Sequence, residues 1–356
     1  MLPKVSVCLP NLNSYKYLAE RLDSIIAQTF HDWELVVVDS YSDDGSWELI
    51  QSYAKNEPRM RIFQAPREGI YPGFNACIGY AQGEFIYIAT SDDTMMPDCL
   101  EQMVEALDQQ KDCDICQCAL LYIDEKSKPL PPDQQWQNSA ICQYLKEWAN
   151  VPHKRLAPHD GILHFAVNTV YTSVTQILIR KRVFDEIGNF KAAWGPMGDF
   201  EWGMRASLLY NTVYIPQILA TWRLHPDQAT TNPFTSKNLA KLLDMAFHAL
   251  SFAQMRQPQL RHLSFHELSL RYQLARLSIG LSEQQNLAKK WRYLWQYCKN
   301  EPVIVWAYWV TKKVSWGNYE ISDPIDWIRN RIKESDIPLP CSLLLIDSKE
   351  SDAILR

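Results

Sequence analysis

No apolar run in the 356-residue chain approaches the roughly 20 residues that a membrane-spanning helix needs. The longest late one, "VIVWAYWV" (303–310), is too short. No secretory leader is legible, because a strand-like "KVSVCLP" opens almost at once. There is no basic excess either: the net charge of −5 gives nucleic acid no global attraction. Internal repeats and low-complexity tracts are missing. The nine cysteines are odd in number and irregular in spacing, which argues against a disulfide framework and for free thiols in a reducing cytoplasm. "CDICQC" (113–118) has no second pair or histidines at matching spacing, so a zinc site is the weaker reading and buried small hydrophobes the stronger.

What is present is rhythm. Apolar blocks recur as "VSVCLP" (5–10), "WELVVVDS" (33–40), "MRIFQA" (60–65), "EFIYIAT" (84–90) and "CDICQCALLYI" (113–123). The second and fourth are almost continuously apolar, as in parallel strands covered on both faces. Between them lie helical patterns. In "YLAERLDSIIAQTF" (17–30), Leu18, Leu22, Ile25, Ile26 and Phe30 share one stripe. Strand–helix alternation predicts an α/β fold on a mainly parallel, Rossmann-like sheet. The rhythm fades over 124–173 and returns as strand then helix in "SVTQILIRKRVFDEIGNF" (173–190), with another helix at 199–210. From about 235 the pattern is helical and Trp-rich. We therefore expect one domain over 1–234, in two parts of about 1–123 and about 124–234, and a helical C-terminal region over 235–356.

Ligands in open parallel sheets bind at the carboxyl ends of the strands. Those ends carry Pro10, Asn11 and Asn13 after the first strand, Asp39 after the second, and Ser91-Asp92-Asp93 after the fourth. Adjacent carboxylates either share a proton or hold a cation. With no His or Lys nearby to neutralise them, oxygen ligands in a short turn suit Mg²⁺ or Mn²⁺, whose other ligands come from water and phosphate. A bare phosphate would instead be repelled by about 4 kcal/mol per unit-charge pair at 4 Å and an effective dielectric near 20.

The opening "P-N-x-N", the "VVVDSYSDDGS" turn, the "GIYPGFNACIGYAQGE" helix, "SDD", "GDFEWGMRA" (198–206) and "WRLHPDQAT" (222–230) stand in one order, and together they resemble the family 2 glycosyltransferases of GT-A fold over roughly residues 3–230. The resemblance implies a nucleotide-diphospho-sugar donor, a UDP-sugar foremost, and a saccharide or lipid-linked acceptor. It implies that Asp39, Pro10, Asn13, Asn75 and Arg223 serve the donor, with Asp92 on ribose or sugar. Asp93 and His225 would hold Mn²⁺ or Mg²⁺. Asp199 would be the base that deprotonates the acceptor, with Glu201 as the alternative. Trp194 and Trp202 would stack on the acceptor or else pack in the core. The family's acid before the base is replaced by Gly198, the step after "GIY" by Pro72-Gly73, and an acid by Arg67.

Rival readings are a nucleotidyltransferase, which would want a basic Gly-rich loop after the first strand, and a dehydrogenase, which would want G-x-G-x-x-G there; "PNLNSYKYL" offers neither. A scaffold that binds nucleotide-sugar without turnover is the non-enzyme rival. Residues 286–316 carry Lys289, Lys290, Arg292, Lys299, Lys312 and Lys313 against Glu301 alone. That segment either packs on the catalytic domain or touches an anionic membrane, which would make a cytoplasmic protein peripheral at the inner face.

Overall fold

In the computed structural model, residues 2–166, 169–226, 228, 236–263, 277, 281, 284, 286–300, 302, 305, 306, 309 and 343–345 are described. The strands are β1 (Val5–Asn11), β2 (Trp33–Asp39), β3 (Met60–Gln64), β4 (Phe85–Ile88), β5 (Ile115–Ile123), β6 (His153–Arg155), β7 (Ile177–Arg180), β8 (Thr212–Arg223) and β9 (Leu343–Leu345). The helices are α1 (Tyr15–Ile26), α2 (Ser46–Ala54), α3 (Ile70–Tyr80), α4 (Cys99–Gln109), α5 (Ala140–Leu145), α6 (His159–Ala166), α7 (Lys181–Ile187), α8 (Gly198–Ser207), α9 (Ser236–Arg256) and α10 (Leu287–Asn300).

One sheet runs in the order β3-β2-β1-β4-β7-β5-β8-β6-β9. Its donor half is parallel, with β1 flanked by β2 and β4, so the chain order reverses beside β1 and leaves a crevice at the strand ends. Beyond β4 the sheet is mixed. β7 enters antiparallel to both β4 and β5, and β6 antiparallel to β8. Apolar periodicity marks a strand but not its direction, so β7 and α7 fall where a strand and a helix are expected in 173–190, while the antiparallel insertion of β7 was not readable. The region after 235 adds a strand to its helices: β9 pairs antiparallel with β6, while α9 packs on α8.

The core is continuous from β3 to β8, with Val5, Val7, Leu35–Val38, Phe85–Ile88 and Ile115 all buried. Burying each such side chain contributes about 1.5–3 kcal/mol. Cys113, Cys116 and Cys118 are buried, unpaired members of this core, and the eight cysteines among the described residues are all free. Among the described residues no helix is long and apolar enough to cross a membrane.

Candidate active site

The register of the parallel strands sets the first part of the site. Asn11 lies opposite Asp39 where β1 and β2 end. The Asn11 amide donates to Asp39 Oδ1 at 2.8 Å. Ser42 adds its hydroxyl at 2.6 Å and its backbone N–H at 2.9 Å to a fully buried Asp39. These three donors take most of the four acceptor sites of the carboxylate, and Gln64 Nε2 lies 3.5 Å from Oδ2. Asp39, which the resemblance puts on the nucleobase, thus also serves as the post that fixes the 39–46 turn. The acceptor left over is Asn11 Oδ1, buried and without a hydrogen-bond partner. Asn13, in the left-handed region at φ 51°, closes the same turn: its amide donates to Asp43 and its Oδ1 accepts the Asp43 N–H. Arg67 donates to the carbonyls of Ser40 and Tyr41 and to Asp43, which explains a cation where an acid was expected. Pro10 borders the crevice and touches α3, where a Cβ at Gly73 would come within 2.9 Å of the Pro10 ring. The glycine in "Pro72-Gly73" is thus a demand of close packing.

The "SDD" turn follows β4 on the same edge. Its two acids differ sharply. Asp93 is 2% exposed, accepts from the Thr90 hydroxyl at 2.6 Å and from the Arg223 backbone N–H at 2.7 Å. Burial first, and the Asp92 charge second, push its pKa up to about 7. The guanidinium of Arg21, buried 5.7 Å from the Tyr87 ring, opposes that rise. Asp92 is 29% exposed and meets His225 Nε2 at 3.0 Å. The two acids thus differ from the expected pair in exposure. Asp93 joins the turn to β8, and the carboxylate open to a ligand is Asp92.

Strand β8 brings His225 across. Thr94 N–H and Thr221 Oγ1 bond at 2.8 Å, and Met95 bridges Ala220, so the end of β8 is sewn to the "SDD" turn. Arg223 strengthens this seam. Its guanidinium is 1% exposed and donates to Asp92 O, Asp124 O, Ser127 Oγ and Glu20. Four of its five N–H donors are thus spent on orienting loops, which leaves one Nη2 N–H where the resemblance expects a donor contact. The Nδ1 of His225 is buried without a partner. Asp92 faces Nε2 and not the buried Nδ1, so a divalent cation held by both side chains would sit between Asp92 and Nε2 in place of their direct contact, with water and phosphate as its other ligands. Among the described residues no three or more His, Cys, Asp or Glu side chains group together to hold one without such help.

Across the crevice, α8 begins at Gly198. Asp199 Oδ1 accepts from the Tyr71 hydroxyl at 2.8 Å and from the Phe200 N–H at 2.8 Å. Burial pushes the carboxyl up, while the Tyr71 and Phe200 bonds hold it back. Glu201 is not an alternative base. It is fully buried and ion-paired to Arg205 at 2.8 Å and Lys191 at 3.1 Å. Helical spacing decides this, since position 201 turns into the core when 199 faces the crevice.

Tyr71 is a site residue that the motif reading missed. The signal was available in "GIY" together with Gly198: a Cβ at 198 would lie 2.8 Å from the Tyr71 ring. The tyrosine occupies the space that a side chain before the base would need. Asn75 is structural: its amide exchanges bonds of 2.8 and 3.1 Å with the Phe190 backbone. Trp202 is 1% exposed, stacks on Phe184 at 4.7 Å and donates to Gly188 O, so it is core and not an acceptor platform. Trp194 is half-buried against Met197 and Phe200, with its indole N–H unpartnered, and remains beside the site.

Comparison with known proteins bears on the family and the fold. The sequence is 30% identical over 125 residues to the putative glycosyltransferase EpsE of Bacillus subtilis (strain 168), covering 35% of this chain and 45% of EpsE. It is 35% identical over 100 residues to the chondroitin synthase of Pasteurella multocida (strain Pm70), covering 28% and 10% of the two chains. The matched segment spans less than half the length of EpsE and of its companion EpsH. Among solved structures, S. aureus TarS 1-349 in complex with UDP superposes with a TM-score of 0.57 at 17% identity, over 92% of this chain and 89% of that one, and shows the same GT-A-like fold. The profile of "Glycosyl transferase family 2" matches residues 6–188, just over half of the sequence, and the chain belongs to that family.

Proposed function

We propose that the protein transfers a sugar, with inversion, from a nucleotide-diphospho-sugar to a hydroxyl of a saccharide or lipid-linked acceptor, in the assembly of a polysaccharide or glycolipid. The observation that carries this is Asp199: a carboxylate at the head of α8, raised by burial and oriented by Tyr71. An alcohol attacks an anomeric carbon only when a base takes its proton, and such help contributes about 10²–10⁴-fold. Asp199 receives the acceptor's proton, the acceptor oxygen bonds to the anomeric carbon, and the bond from that carbon to the diphosphate oxygen breaks with its electron pair. Attack opposite the leaving group inverts the centre. Asn11 Oδ1 is placed for a nucleobase N–H, and the turn anchored by Asp39 and Asn13 walls the ribose side.

Asp92 and His225 would hold Mn²⁺ or Mg²⁺, which when bound supplies positive charge to the departing diphosphate. A UDP-sugar is favoured, since S. aureus TarS, described in complex with UDP and with UDP-GlcNAc, shares the fold at TM-scores of 0.57 and 0.58.

The test is a panel of nucleotide-sugars with and without Mn²⁺ or Mg²⁺, read by diphosphonucleoside release and by thermal shift. Asp199→Asn is expected to keep donor binding and to lower transfer at least about a hundredfold. Asp92→Asn is expected to lose cation-dependent donor binding. Wild-type transfer by Asp199→Asn would overturn the assignment of the base, and cation-independent binding by the native chain would overturn that of the pair.

A further inference from the structure

Helix α10 contains four basic residues, Lys289, Lys290, Arg292 and Lys299, and no acid. Its apolar residues, which the sequence places on one stripe, divide in the structure. Tyr293, Leu294, Tyr297 and Cys298 pack inward on Leu277, Leu281 and Val305. Leu287, Trp291 and Trp295, each one turn after the last, face outward at 76%, 62% and 64% exposure. Trp306 joins them at 66% exposure, and Trp309 stacks beside Trp291 at 6.3 Å. A helix already anchored on one side has no reason of stability to leave a second apolar row in water, and an exposed patch of this kind marks an interaction surface.

The chemistry of the row selects the partner. Indoles prefer the boundary between water and hydrocarbon, where the ring is buried and its N–H stays wet. Lys299 sits with Nζ 5.5 Å from the centroid of the Trp295 ring, and Arg292 directly follows Trp291, so cations border the indoles. Long cationic side chains lay their stems on apolar surface and keep their charge in the headgroup layer. At 14 residues α10 is about 21 Å long, too short to span a bilayer but long enough to lie in its plane. The net charge of the whole chain is −5, so an anionic surface would repel the molecule except at this patch.

We propose that the Leu287–Trp291–Trp295 face of α10 docks this protein on an anionic lipid bilayer. Tyr297, on the inward side of the same helix, packs on the cluster that includes Ile162, Met204 and Met245. The docked helix is thereby tied to α8, which carries Met204. Membrane binding itself does not depend on the sugar-transfer reading, and the experiment keeps the two apart.

The full-length protein is sedimented with phosphatidylcholine vesicles and with vesicles containing phosphatidylglycerol, at low and at high salt, while tryptophan emission is recorded. The expected result is sedimentation and a blue shift with the anionic vesicles only, both weakened by salt. Trp291→Ser/Trp295→Ser should abolish binding, and Arg292→Glu/Lys299→Glu should weaken it by at least fivefold per charge, about 1 kcal/mol each. Both variants should keep native circular dichroism and undiminished turnover of a soluble acceptor. No binding to anionic vesicles, equal binding to neutral ones, or vesicle binding unchanged in both variants would overturn the proposal. So would a native dimer that the tryptophan substitutions convert to monomer, because the row would then be a contact between two copies.

Discussion

With Asp199 as the proposed base, Tyr71 shows how one hydroxyl would tune it. The phenol donates to the carboxylate and so favours its charged form, working against a burial that favours the neutral one. Removing that bond raises the carboxyl pKa further, and the base then loses its proton only at higher pH. Tyr71→Phe keeps the ring against Phe74 and Phe190. It should move the acidic limb of the kcat/KM profile upward by about one pH unit, with a smaller change at the alkaline plateau. A limb that stays in place would mean that the hydroxyl serves only Pro196 O, its second acceptor at 3.1 Å. The same scale shows what the motifs conveyed. Asp92, Asp199 and His225 reach the crevice from positions that the order of motifs marks. That motif order conveyed nothing about which neighbouring acid would be buried. Asp93 and Glu201 differ from Asp92 and Asp199 by one and two positions, and only their donors in three dimensions, the Arg223 N–H and the Arg205 guanidinium, separate structural acid from functional acid.

Among elements, α3 and α8 meet where two glycines respond oppositely to the same substitution. Alanine is ordinarily the better helix former, by about 1 kcal/mol. At Gly79, late in α3, a Cβ meets nothing within 4 Å, and Gly79→Ala should raise stability by about 0.5–1 kcal/mol. At Gly198 the new methyl would press on the buried ring of Tyr71 at 2.8 Å, with Phe74 and Phe190 behind it. Gly198→Ala should therefore destabilise by about 1–3 kcal/mol and lower turnover, measured by denaturant unfolding and initial rates. Adding Tyr71→Leu should recover part of that stability and none of the hydroxyl's effect on pH. The five strands up to β5 and the helices between them were legible because each buries a simple periodic face. The stretch from 124 to 176 was not, since it folds as short turns of helix held by polar groups, as where Gln135 bonds both the N–H and the carbonyl of Tyr122.

For the whole molecule, the proposed donor site draws on loops that are far apart in the chain, at 11–13, 39–46, 91–93 and 223–225. A ligand that bridges them binds the folded chain and not the unfolded one, and so raises stability by about 2.7 kcal/mol at a hundred times its Kd. If Asp92 and His225 hold a cation against a diphosphate, a nucleoside diphosphate and Mn²⁺ added together should raise Tm by more than the sum of their separate effects. Simple additivity in a differential scanning experiment would place the two ligands at independent sites.

The short strand β9 carries a consequence for how the protein is made. Its partner β6 leaves the ribosome roughly 190 residues earlier, and Lys154 waits all that time for Leu344. Until then β6 presents a bare row of N–H and carbonyl groups on the outer side of the sheet, open to pairing with any neighbouring nascent chain. β9 thus covers β6 only after the chain has grown past Leu345, and moves the sheet edge outward by one strand. A chain stalled or clipped ahead of Leu343 should reach the aggregate fraction even though every residue of its crevice has already been translated.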